Sequence, residues 1–215
     1  MHHAVRPRRV LSFAAAGLLF LVGFLACGPA ARAQGGGDAW RLGVRVSSFD
    51  MTQSPDSYDA VYGSSMTLVG VAVEWHPRPR WFLALSADTG DIGGEQVVFL
   101  PAPTPSGVAT TLKLTPVHIS FGRHFRAGEA WSFLLGVGPS QVSWEESSEF
   151  GRRSGNDTGL HLRSAVRRAF GPWELDLELL YSTIPDAFAD GGAAAILGEG
   201  DIGGLALSLG FGYRL

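Results

Sequence analysis

Two sets of residues have types and spacing that could do chemistry. In the first, His118-Ile119-Ser120 places an imidazole and a hydroxyl two positions apart. On a strand, such positions share a face. A neutral imidazole there could take the serine proton and make the hydroxyl a nucleophile. The second set is ten charges at alternate positions of otherwise apolar or small-residue segments: Arg41, Arg45, Arg163, Arg167 and Arg214 against Glu74, Asp88, Glu174, Asp176 and Glu178. Five meet five, and such charges tolerate burial only when they are paired and hydrogen-bonded. Metal chemistry is not indicated. No segment has the D-x-D-x-D-G spacing of a calcium loop, and Cys27 is the one cysteine. No metal and no cofactor are expected.

The elements that must position these groups are strands. From residue 39 onward the apolar residues recur with period two. The last segment shows it best: Leu205, Leu207, Leu209, Phe211, Tyr213 and Leu215 alternate with Gly204, Ala206, Ser208, Gly210, Gly212 and Arg214. Eight strands are expected, at about 39–50, 66–75, 81–89, 111–125, 131–143, 158–170, 173–182 and 203–215. His118 and Ser120 fall on the small or polar face of the fourth, with Val117, Ile119, Phe121 and Phe125 on the other. The charged rows fall on the same kind of face, and the acidic row of strand seven (Glu174, Asp176, Glu178) lies between the arginines of strand six and those of strands eight and one.

The connections alternate in length. Those at 76–80, 126–130 and 171–172 are short, and those at about 51–65, 90–110, 144–157 and 183–202 are long. Aromatics mark the short-turn level. Trp40, Trp81, Trp131 and Trp173 each open a strand, and Trp75, Phe125, Phe170 and Tyr213 close or nearly close the intervening ones. Short turns at one end, long loops at the other and a ring of amphipathic aromatics match the organisation of an outer-membrane barrel. An even strand number returns both ends of the barrel to the periplasmic side. An eight-stranded barrel has room inside for side chains only, so the ten charges predict a self-neutralised, packed polar lumen.

Residues 1–33 carry Arg6, Arg8 and Arg9, an apolar run from Val10 to Cys27, and the small-x-small site Ala31-Arg32-Ala33. That order is expected of a cleaved export signal, leaving 34–215 as one barrel domain. Four of the 17 basic residues and none of the 20 acidic ones lie in the leader. The remainder therefore holds 13 basic and 20 acidic groups, a net charge of −7. Such a balance argues against nucleic-acid binding.

The alternating strands, the tryptophan strand starts and the tail Leu209–Leu215 resemble those of small outer-membrane β-barrels of the OmpA/OmpX type. The resemblance covers nearly all of 39–215. Such barrels usually end in Phe, and this chain ends in Leu215. The resemblance implies an all-β, eight-stranded antiparallel transmembrane barrel with outer-membrane lipid and the barrel-assembly machinery as partners. It also implies a monomer and, through the loops, contact with an extracellular ligand. Proteins of this class serve as anchors, adhesins, narrow pores or lipid A-modifying enzymes. The lipid A deacylases among them resemble the His118–Ser120 pair in using His-x-Ser with a carboxylate. Their pair works on the lipid side and Asn follows the Ser, whereas here Ile119 takes the lipid side and Phe121 follows.

The expected role is therefore non-enzymatic, structural or surface-interacting. A narrow channel for small solutes and a lipid A-modifying enzyme are the alternatives. The long connections carry much acidic charge, including Asp56, Asp59, Asp91, Glu95, Glu145, Glu146 and Glu149. If Phe125 faces Trp131 across the fourth turn, Pro116 falls diagonally opposite Pro139. Two prolines at one level remove ladder hydrogen bonds. They predict either the end of the ladder or a lateral opening there.

Overall fold

A computed structural model describes residues 39–53, 55–63, 65–99, 103–127, 130–187 and 200–215. The expected signal at 1–33 lies outside them. Among the described residues the chain forms β1 (Ala39–Asp50), a short helix α1 (Pro55–Val61), β2 (Met66–Arg78), β3 (Trp81–Phe99), β4 (Pro103–Ala127), β5 (Trp131–Ser148), β6 (Gly151–Phe170), β7 (Trp173–Ile184) and β8 (Ile202–Arg214). Every strand pairs antiparallel with its chain neighbours. The ring closes where β8 returns to β1, with Val44 opposite Phe211 and Ser47 opposite Ser208.

Closure and alternation together set what faces where. In hydrocarbon an unpaired backbone N–H or C=O costs several kcal/mol, so a sheet there cannot keep an edge. The pleat then sends alternate side chains out and in. Leu175 and Leu207 point outward, 42% and 52% exposed, while Arg163 points inward at 1%. A water-soluble barrel would have the reverse arrangement. The outward band is Val, Leu, Ile and Phe on all eight strands, far more contiguous apolar surface than a soluble protein leaves uncovered.

The short turns gather at one end. Phe170 pairs with Trp173 across Gly171-Pro172, and Gly171 has φ +65°. A positive φ at the first turn residue gives the two-residue hairpin the twist its strands need, and glycine adopts it without steric cost.

The strands are longer than the sequence implied. β3 continues to Phe99 and β4 begins at Pro103. β5 reaches Ser148, and β6 begins at Gly151. The stretches 90–110 and 144–157 are thus largely paired hairpins rather than open loops. Gly90↔Leu114 and Glu95↔Ala109 continue one ladder, and Glu145↔Ser154 and Ser148↔Gly151 the other. Their polar composition reads as loop. Beyond a membrane, however, a two-stranded ribbon can be polar on both faces and still satisfy its backbone by pairing.

The fourth turn also differs from expectation. Phe125 faces Phe133, not Trp131, so Pro116 sits opposite Val142 and Pro139 opposite Leu160 on β6. The two prolines do not share a level. Nor does the ladder end at Pro116, since pairing continues to Thr110↔Ser148. It lapses instead between His118↔Ser140 and Phe121↔Val137, where Pro139 has no N–H to give.

Leu177 lies outward near the middle of β7. Leu177→Arg should lower stability by about 2–4 kcal/mol, the cost of an arginine on the lipid face near the midplane. Denaturant unfolding in phospholipid vesicles measures it. An unchanged midpoint would mean that this face does not meet hydrocarbon.

Candidate functional site: the barrel interior

The interior has three layers, built from the inward residues of successive strand levels. At the short-turn end and centre lie the ten charges, and the structure joins all of them into one connected set. Arg41 Nε is 2.9 Å from Glu174 Oε2, and Arg41 also pairs with Asp176. Arg167 grips Glu74 with two bonds, 2.8 and 3.1 Å. Arg163 Nε donates to Glu178 Oε2 at 2.7 Å, and its other end is 3.6 Å from Glu74. Arg45 donates to Asp88 Oδ1 at 2.7 Å, to Glu178 Oε1 at 2.6 Å and to Ser86 at 3.0 Å. Arg214, half-exposed at the rim, reaches Glu174. Bidentate and bridging geometry is what lets guanidinium and carboxylate share a dry space. Glycines opposite these groups leave them room. A Cβ on Gly212 would stand 2.4 Å from Arg41 Cζ, and one on Gly70 2.1 Å from an Asp88 oxygen.

Above the charges sits a layer of His and Ser. His118 and Ser120 both point inward but do not bond to each other. His118 Nδ1 lies 2.7 Å from Ser140 Oγ, Ser120 Oγ lies 2.7 Å from His161 Nε2, and Ser140 Oγ lies 3.0 Å from His161 Nδ1. The two rings meet edge to face at 5.0 Å. Ser120 thus has an imidazole partner on β6 rather than on its own strand. The carboxylate at this depth, Glu178, is held by Arg45 and Arg163. Ser140 and His161 were missing from the sequence-level pair. Their inward parity was legible, but the register that brings β5 and β6 to His118 was not.

The outer third of the interior is apolar, which the sequence reading missed. Phe49, Leu68, Leu112, Leu114, Trp144, Leu180, Ile184 and Ile202 form a buried cluster, and Tyr58, Val61 and Tyr62 of the α1 segment pack into it. These positions share inward parity with the charged rows, so the lumen is polar for only part of its height. Tyr62 donates its hydroxyl to Glu146 Oε1 at 2.5 Å, and its ring lies 5.4 Å from that of Tyr58. Burial raises the Tyr58 phenol above the ordinary tyrosine value. Burial and the bond to Glu146 raise Tyr62 likewise. Between the charges and this cap remains a cavity of about 20 Å³, lined by Arg45, Asp88, His118, Glu178, Ser182 and Ser208 among others. Such a space holds about one water.

Outside, the aromatics cluster at the short-turn level. Trp40 stacks on Trp75 at 5.8 Å, and Trp173 meets Tyr213 edge-on at 4.7 Å. Trp81 and Phe125 flank Arg123, whose guanidinium lies 5.3 and 5.5 Å from their rings. Arg168 sits likewise 5.3 Å from Trp131 and 4.9 Å from Phe170. These two outward arginines were also missed, although their parity with Phe121 and Val166 places them. Long basic side chains can lie on apolar surface while their heads seek the interface.

An apolar exterior, a charged interior and full closure at eight strands now stand together. No family model matches the chain, and no curated protein matches it. Solved structures do. Neisserial surface protein A aligns at TM-score 0.55 with 14% identity, over 84% of this chain and 99% of that one. The outer membrane protein OprG of Pseudomonas aeruginosa aligns at 0.56 with 14% identity, over 84% and 96%. Ail, the attachment invasion locus protein of Yersinia pestis, aligns at 0.51 with 18% identity, over 85% and 100%, in a complex with the heparin analogue sucrose octasulfate. The fold is that of the small outer-membrane β-barrels. The apolar belt makes this chain a membrane-spanning barrel of that type.

Two measurements probe the interior. Arg163→Met takes one of two arginine partners from each of the buried carboxylates Glu74 and Glu178 and should cost about 3–5 kcal/mol of stability. Arg152→Ala removes only an exposed pair with Glu145 (68% and 40% exposed, 3.4 Å) and should cost less than about 1 kcal/mol. Equal midpoints in denaturant for both variants would contradict the packing described. The tyrosines set an alkaline dependence. Their folded values lie above the ordinary 10.0, so the stability they add is complete below that pH. It is lost as pH rises through the folded values, because the unfolded phenols ionise first. Unfolding midpoints should therefore fall above about pH 10 in the wild type, and this fall should shrink in Tyr58→Phe/Tyr62→Phe.

Proposed function

We propose that this chain is a non-enzymatic protein of the outer membrane with a structural or surface-interaction role, exported by a signal at 1–33 and acting as a monomer at 34–215. In that reading the short turns face the periplasm, and the barrel-assembly machinery accepts the Leu215 tail. The observation that supports it is the filled interior. One connected ion-pair network, a His/Ser layer and an apolar cap leave a cavity of about 20 Å³, and α1 is folded into the outer end. Such a lumen resists steady flow of solutes. What remains free to vary is the paired ribbons and connections above the barrel.

The long-connection end is acidic. Asp56, Asp59, Asp91, Glu95, Glu145 and Glu149 outnumber Lys113, Arg152 and Arg153 there. This balance disfavours a polyanionic ligand of the kind bound to Ail and favours a neutral or cationic one. Phe150, 75% exposed at the tip of the β5–β6 ribbon, offers an apolar contact beside those charges. The enzyme alternative is weakened because Ser120 and its imidazole partner His161 are walled in, away from any lipid.

Planar bilayers and lipid analysis test the reading. The purified mature chain should show no steady single-channel steps, and Ser120→Ala should leave the lipid A mass spectrum of expressing cells unchanged. Reproducible conductance would favour the channel. An acyl-chain difference that depends on Ser120 would favour the enzyme.

A further inference from the structure

The mouth at the short-turn end holds a second cavity, of about 190 Å³, distinct from the sealed interior. Its floor is the end of the ion-pair network, where Arg41, Arg167 and Arg214 surround Glu174. Its walls add Arg78, at the end of β2, and Arg126, near the end of β4. The ten network charges cancel. Among the residues lining the cavity, Arg78 and Arg126 are the cations outside that network, and among the described residues neither has a carboxylate within ion-pair distance.

The two are held together by structure rather than by chance of exposure. His76 and His124, two residues before Arg78 and Arg126 on the same strands, meet ring to ring at 5.1 Å and line the same cavity. That contact ties the end of β2 to the end of β4, and Arg78 and Arg126 line the one cavity beside it. Trp40 and Pro79 complete the wall with apolar surface, which lowers the local dielectric and strengthens attraction to an opposite charge.

We infer that this mouth is a binding site for a small oxyanion, a phosphate group, clamped between Arg78 and Arg126 above the Arg214 rim. Guanidinium forks match phosphate oxygens in bidentate geometry, and the floor carboxylate is already occupied by three arginines. Two sources carry this chemistry: free inorganic phosphate and the monoester phosphate of a lipid headgroup.

Calorimetry on the mature barrel in uncharged detergent tests it, at low ionic strength and about pH 8, where ordinary imidazoles are neutral. The probes are inorganic phosphate and dihexanoyl phosphatidic acid. Saturable one-site binding of either is expected, weakened tenfold or more in R78A/R126A and unchanged in R152A at the opposite end. Binding of phosphate itself assigns a free-anion site, and binding of the lipid alone assigns a headgroup site. Heat-modifiable gel migration verifies that each variant is folded. Absence of saturable binding to both probes overturns the inference, as does equal weakening in R152A or undiminished binding by folded R78A/R126A.

Discussion

Hydrocarbon has no groups to offer a backbone N–H or C=O, and this constraint governs the molecule. It forces the eight strands to close. Closure divides every strand into an outward and an inward row. The outward row meets lipid tails and must be apolar, so every charge on the spanning segments away from the interfaces goes inside. The inverted arrangement of leucines out and arginines in is thus a consequence of the solvent.

Placing charges inside creates the second requirement. An eight-stranded ring leaves little room for water, so the guanidiniums and carboxylates must satisfy one another. Here they pair through shared partners. Glu74 bridges Arg163 and Arg167, Glu178 bridges Arg45 and Arg163, and Glu174 gathers three arginines. Small inward residues such as Gly70 and Gly212 are part of the same solution, because the long side chains lie flat across them. Sealing is therefore a property of the whole set, and the apolar cap completes it at the outer end.

These requirements relax at the two ends. Beyond the membrane the β3–β4 and β5–β6 ribbons are free to be polar and acidic, and the β5–β6 ribbon is tipped with Phe150. At the other mouth, Arg78 and Arg126 stand outside the network. The His/Ser layer lies between, enclosed by both the network below and the cap above.

Parity was fully legible in the chain. Period-two alternation assigned Leu207 outward and Arg163 inward, and the tryptophan strand starts marked the short-turn level. Both follow from the local geometry of a strand, which depends on nearest neighbours alone. Register was not legible, because it depends on how two distant segments slide past each other. Hence Pro116 and Pro139 part company, and Ser120 finds His161 instead of His118. Nor could composition show that Tyr58 and Tyr62 fold back onto Leu112 and Trp144. A polar connection looks the same in sequence whether it trails in water or caps a barrel, and only the closed ring creates the apolar hollow that receives it.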